Sequence, residues 1–273
     1  MQIRNRWTGA VIFEDASPTM REAVLNAISK AANLTRANLT DADLTAANLT
    51  AANLTRANLT RANLTRANLT AADLTDADLT DADLTAADLT AANLTDANLT
   101  RANLTRANLT AANLTRANLT RADLTRANLT RANLTAADLT DANLTDADLT
   151  DADLTDADLT DAKAGLFRVL DAAPAEVAGL LSAVQEGRIA GTCYEGECSC
   201  LKGTIATLRG VKYHTMQDEL APMAGSAAEI WFLGMQPGQT PENHIISKIT
   251  AEWIQEWQAK RAAANPQPVS AEQ

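Results

Sequence analysis

Residues 82–101 read ADLTA-ADLTA-ANLTD-ANLTR, four copies of one short unit: Ala, Asn or Asp, Leu, Thr, then Arg, Asp or Ala. The unit runs unbroken from residue 32 to residue 161, 26 times, with a leucine at every fifth position from Leu34 to Leu159. Only six residue types occur in it, and all 11 Gly, 7 Pro and 3 Cys lie elsewhere. A repeat this short has to be read before any helix or strand. One unit makes about 1.4 helical turns, so leucines at that spacing would spiral round a helix and bury no single face. The spacing does not match the two-residue alternation of a strand either. Chain that turns a corner after each Ala-Asn-Leu would instead return every leucine to one axis.

The Ala-(Asn/Asp)-Leu-Thr-X unit resembles the repeat of the pentapeptide repeat proteins. The resemblance implies a mainly β fold, a right-handed quadrilateral β-helix in which four pentapeptides form the four sides of one square coil. It further implies that Leu and the Ala two before it point inward while the other three positions face solvent. Elementary hydrophobicity agrees, since Leu and Ala are apolar and Asn, Asp, Thr and Arg are not. Leu34, Leu39, Leu44, Leu99 and Leu159 are therefore expected in the core. With about 6.5 coils at roughly 4.8 Å each, the column should stand about 31 Å tall. A lone coil cannot offset the entropy of fixing its backbone, so stacked neighbours must supply the remainder. The open ends need covers, and small α/β caps are expected at both.

At 273 residues the chain has room for more than the array. Residues 1–31 are expected to form an N-terminal cap. Trp7 to Glu14 reads as a strand. Ser17-Pro18 and Thr19 with Glu22 signal a helix running to about Lys30, with Met20, Val24, Leu25 and Ile28 on one face. Residues 162–264 read as a mixed α/β cap domain. Its expected parts are a helix over Ala175 to Glu186, with Val177, Leu180, Leu181 and Val184 inward and Gly187 ending it, and an irregular stretch over 188–228. They continue with a buried strand over Ile230 to Met235, a turn at Pro237-Gly238, and a helix from about Glu242 to Ala263 lined by Ile246, Ile249, Trp253 and Trp257. Residues 265–273 read as a disordered tail.

The chain carries a formal net charge of −11. Ten Arg and 19 Asp of the array leave most of that charge on the column. An acidic chain argues against a nucleic-acid partner. No 18-residue apolar run is present, so no membrane partner is expected. No secretory signal is evident near Met1, and the odd cysteine count fits a reducing, cytoplasmic setting. The 16 Asn-Leu-Thr triplets match the glycosylation acceptor pattern only as by-products of the repeat.

Chemistry has few footholds. Cys193, Cys198 and Cys200, with His214 nearby, could ligate zinc, yet the spacing is not the Cys-x2-Cys of a zinc ribbon, and buried thiols are the simpler expectation. The acidic run Asp138, Asp141, Asp146, Asp148, Asp151, Asp153, Asp156 and Asp158 could attract calcium or a basic partner, but no Gly-bearing calcium loop accompanies it. Two histidines, no phosphate-binding loop and no catalytic triad pattern point to a non-enzyme without cofactor. The uniformity of the array reads as a consensus or engineered repeat between natural covers, hence a structural scaffold. Two other readings stand beside it. One is a DNA mimic, since the resemblance implies relatives that engage DNA gyrase. The other is an ice-binding face on Thr50, Thr70, Thr90 and Thr110 with Ala51, Ala71, Ala91 and Ala111. Along the sequence, charge falls in alternating blocks, basic at 36–66 and 101–131 and acidic at 73–96 and 138–161. Antiparallel columns side by side could pair weakly through those blocks.

Overall fold

A computed structural model describes residues 1–189, 201–210, 228, 231–232, 235 and 238–264. The chain divides into two compact units, Met1–Thr160 and Asp161–Gln273.

The first unit is built on one rule. Residue n bridges residue n + 20 in parallel, from Asn38 with Asn58 through to Asp138 with Asp158. Four pentapeptides thus complete one circuit of the chain, and their Ala-Asn-Leu segments form its four sides. At each corner the Ala amide donates to the Leu carbonyl three positions back, as Ala102 does to Leu99 at 2.9 Å. The third residue of that turn, the Arg, Asp or Ala of the unit, has φ between 52° and 64° at every corner from Arg36 to Asp156. Positive φ at this position alone is the mark of a type II turn, normally supplied by Gly or Asn. Neither occurs at any corner of this column.

The unit around Leu99 shows how each amide is used. Ala97 donates to Leu94, Asn98 to Ala77 in the preceding coil, Leu99 to Asn118 and Arg101 to Thr120 in the following coil, all at 2.7–3.0 Å. The remaining amide, Thr100, donates to its own neighbour's side chain, Asn98 Oδ1, at 3.1 Å. This last bond recurs in every unit of the array. It explains why the second position is Asn or Asp and nothing else: both carry a carbonyl-type oxygen on Cγ, which closes an Asx turn. With every amide bonded, the interior can be wholly apolar. Leu34, Leu39, Leu44 and Leu99 are at most 1% exposed, and Ala37, Ala42 and Ala97, each two before one of the last three, share that core. Leu159 departs from expectation and is partly exposed. No coil follows it, and the chain turns helical at Thr160.

The N-terminal residues finish the first coil. Strands β1 (Gln2–Asn5) and β2 (Val11–Glu14) form an antiparallel hairpin, and β1 pairs antiparallel with β3 (Ala37–Asn38), giving the order β2-β1-β3. The single strand expected over Trp7 to Glu14 is therefore corrected. Trp7 lies in the turn, where Asn5 Oδ1 accepts the amides of Trp7 and Thr8, and is 60% exposed. Helix α1 (Met20–Ser29) starts at Thr19, whose hydroxyl accepts the Glu22 amide. Its buried face is Ala23, Val24 and Ala27, rotated from the face expected; Met20, Leu25 and Ile28 are only half-buried.

In the second unit, α2 (Thr160–Ala172) covers the apolar run at Leu166 to Leu170, followed by α3 (Val177–Gln185), α4 (Leu201–Arg209) and α5 (Ile245–Ala264). Helix α3 ends at Gly187 with φ 64°, and a Cβ there would lie 2.8 Å from the Gly238 carbonyl carbon. Leu181 stays half-buried where Ala183 is buried. Helix α4 corrects the expectation of irregular chain over 188–228. Ala228, Trp231 and Phe232 are helical, so the expected strand over Ile230 to Met235 is also corrected. A short apolar run does not tell strand from helix by itself. Tertiary anchors fix this one: Trp231 Nε1 donates to Thr250 Oγ1 at 2.8 Å, and its ring stacks on Trp253 at 5.2 Å. Helix α5 buries Ile246, Trp253, Ile254 and Trp257, while Ile249 is half-buried. The tail expected over 265–273 lies outside the described residues. No described helix is long and apolar enough to cross a membrane.

Candidate interaction surfaces of the coil

Because neighbours on the surface lie one circuit apart in the chain, the corners form four vertical columns. One carries Arg36, Arg56, Asp76, Asp96, Arg116, Ala136 and Asp156; the next Asp41, Arg61, Asp81, Arg101, Arg121 and Asp141. The third carries Ala46, Arg66, Ala86, Arg106, Arg126 and Asp146, and the fourth Ala51, Ala71, Ala91, Ala111, Arg131 and Asp151. Six ion pairs run up these columns, each between residues one circuit apart: Arg61–Asp41, Arg56–Asp76, Arg101–Asp81, Arg116–Asp96, Arg121–Asp141 and Arg126–Asp146. The tightest are two-pronged, with Arg101 Nε 2.7 Å and a terminal nitrogen 2.6 Å from the two Asp81 oxygens. Hydrogen bonding to their arginines holds the carboxyls of Asp41, Asp81 and Asp96 below the ordinary value of 3.8.

The acidic run separates into two kinds of residue. Asp138, Asp148, Asp153 and Asp158 sit on the sides of the coil, each with Oδ1 accepting the amide of the Thr two positions on. Burial opposes ionisation of Asp138, yet the Thr140 hydroxyl and amide outweigh it and its carboxyl is lowered. Asp141, Asp146, Asp151 and Asp156 sit on four different corners of one circuit. What reads as a block in sequence is a ring round the column. Asp141 and Asp146 are already paired to Arg121 and Arg126. The side with most acid carries Asp41, Asp78, Asp81, Asp138, Asp141 and Asp158 against Arg61, Arg101 and Arg121, so its charge too is mixed along the axis. On the alanine-lined side, the hydroxyls of Thr50, Thr90 and Thr110 are turned onto Asn48, Asp88 and Asn108 at 2.6–2.7 Å. Cys193, Cys198, Cys200 and His214 all lie outside the described residues. Among the described residues no group of three or more His, Cys, Asp or Glu is placed to hold a metal ion.

Two arginines from outside the array reach its surface, a feature not foreseen from sequence. Arg6 donates to the carbonyls of Arg56 and Ala57 at 3.3 Å and lies 3.5 Å from Asp78. Arg21 of α1 donates to the Ala46 carbonyl at 3.3 Å. Trp7 lies under Arg6 and Arg36, whose guanidinium carbons stand 5.6 and 5.0 Å from its ring centre.

The pentapeptide repeat family model matches in 8 copies across residues 32–163. The chain belongs to the pentapeptide repeat family, whose members fold as right-handed quadrilateral β-helices. It is 42% identical to HetL of the cyanobacterium Nostoc, a protein involved in heterocyst differentiation regulation, over 46% of this chain and 63% of HetL, with a TM-score of 0.23. It is 38% identical to Rfr23 of Cyanothece over 35% of this chain and 58% of Rfr23, TM-score 0.26. A pentapeptide repeat protein of the Arabidopsis thaliana thylakoid lumen is 30% identical over 41% of this chain and 72% of its own length, TM-score 0.28. The chain thus spans about three fifths of the first two. No curated protein matches it.

Proposed function

We propose that the column is a non-catalytic structural scaffold, a stiff repeat element whose surface charges chiefly stabilise one another. The six ion pairs running up the corners support this most directly, because they tie six of the ten array arginines to six of its 19 aspartates and so reduce the free charge a partner could read. A DNA mimic is the alternative. Duplex DNA presents one negative charge per about 1.7 Å of axis in continuous lines. Here the acidic residues form rings, and each side mixes both signs. The ice-binding reading has less support, since three of the four threonine hydroxyls face their own Asn or Asp. The relatives are natural proteins and lend no support to a designed origin, which the scaffold reading does not need.

A supercoiling assay with DNA gyrase separates scaffold from mimic. No inhibition is expected at about 10 μM protein, a concentration at which a micromolar ligand would be mostly bound. Inhibition that disappears when Asp151 and Asp156 are changed to Asn would overturn the scaffold reading.

A further inference from the structure

Each repeat leaves one backbone group out of its ladder. In the interior coils the carbonyls of Ala, Asn or Asp, Leu and Thr all accept an amide, but that of the corner residue accepts none from the array. Where an arginine comes in from outside, it goes to this group. Arg21 binds the corner carbonyl of Ala46 and lies close enough to Asp43 to exert an electrostatic pull on it. Arg6 binds the corner carbonyl of Arg56 and meets the carboxylate of Asp78. A corner carbonyl beside an aspartate is therefore a guanidinium site, used twice within this chain.

The Ala86 corner has the same parts and more. Asp83 precedes it and Asp88 follows it in the same circuit. Both use Oδ1 on Thr85 and Thr90, and among the described residues neither forms an ion pair. Ala86 is small, and Arg66 one coil below and Arg106 one coil above carry no ion-pair partner among the described residues either. We propose that the notch formed by the Ala86 carbonyl, Asp83 and Asp88 binds the guanidinium of Arg66 from a second copy of this chain. The two columns lie antiparallel about a two-fold axis between the coils of Arg66 and Ala86. That axis sets Arg66 of each copy against Ala86 of the other, a long side chain opposite a short one and a cation opposite two carboxylates. In the same register the column of Asp41, Arg61, Asp81 and Arg101 meets its own reverse, with each Asp opposite an Arg. Arg106 comes opposite Ala46, where Arg21 already sits, so that outer pair adds nothing. The contact is about one side wide and four coils, roughly 19 Å, tall. It falls short of the roughly 800 Å² per partner of stable complexes, and the dimer is weak and salt-sensitive. This goes beyond the scaffold reading and does not depend on it.

Sedimentation equilibrium of the full chain at high concentration, in low and high salt, tests it with variants that stay within the repeat's own vocabulary. The native chain should self-associate in low salt and approach the monomer mass in high salt. Arg66→Ala, Ala86→Arg and the pair Asp83→Asn with Asp88→Asn should each weaken association at least tenfold. Arg106→Ala should leave it unchanged. Circular dichroism confirms that each variant is folded. A native chain that stays monomeric at low salt, or association that survives Arg66→Ala, would overturn the proposal. Loss on Arg106→Ala alone would equally refute this register.

Discussion

Ala91 and Ala92 are adjacent alanines whose replacement by glycine should have opposite signs. Ala91 is an exposed corner residue at φ 54°, and Ala92 is a core residue with 0% exposure. An L-residue in left-handed backbone gives up about 1 kcal/mol. Glycine recovers that but adds roughly 0.4–1 kcal/mol of unfolded-state entropy. Ala91→Gly should therefore be neutral to stabilising, by up to about 0.6 kcal/mol. Ala92→Gly loses a buried methyl worth about 0.8 kcal/mol and adds a similar entropic cost, so it should destabilise by about 1–2 kcal/mol. Ala91→Val completes the series, because a β-branched side chain fits poorly at positive φ. It should cost at least about 1 kcal/mol although it touches no core. Urea melts followed by far-ultraviolet circular dichroism, compared at constant m, read all three. If the two glycine variants shift the midpoint in the same direction by similar amounts, the assignment of Ala91 to the turn and Ala92 to the core fails.

Asn103→Asp should leave stability within about 0.5 kcal/mol, whereas Asn103→Ala, which strands the half-buried Thr105 amide, should cost about 1 kcal/mol or more; equal losses in urea melts would contradict the Asx-turn account. Acid should unfold the column over a defined range. Asp15 is held down to about 2 by Ser17 and Asn26, and Asp41, Asp81 and Asp96 are lowered by their arginines. Carboxyls depressed in the folded state contribute stability above their unfolded value of about 3.9. They lose it as pH falls through the folded value, so the urea midpoint should be flat from pH 8 to about 5 and drop from about pH 4 towards 2. A midpoint that falls between pH 7 and 5 instead would assign the sensitivity to other groups.

The period and the inward leucines were both legible in residues 32–161, since each depends only on hydrophobic spacing. The turn was not, because its left-handed residue is Ala, Arg or Asp and never Gly. Its conformation is imposed by the ladder on both sides rather than by local preference. The charge pattern was present but misread along the chain. Asp41 and Arg61, or Asp81 and Arg101, are complementary one full circuit apart, and that spacing would have revealed columns where consecutive reading found blocks. In the second unit, Gly187 announced the end of α3, whereas α4 (LKGTIATLR) hid behind a glycine and two threonines, which are weak helix formers. Trp231 is anchored by Thr250 and Trp253 on α5, which no local pattern encodes.

The rule that residue n meets residue n + 20 gives this molecule two different units of length. Adding or removing one pentapeptide keeps every leucine inside and every amide bonded, so the fold tolerates it. It also turns the downstream surface by a quarter circuit against the upstream one: a pentapeptide inserted between Asp81 and Arg101 would take Arg101 off Asp81, while Arg121 and Asp141, both downstream, would move together and stay paired. Only changes by a whole circuit keep the fold and leave every downstream residue in its original column. Growth by one pentapeptide is therefore a way to shuffle a surface without touching its core, and growth by four is a way to lengthen it unchanged.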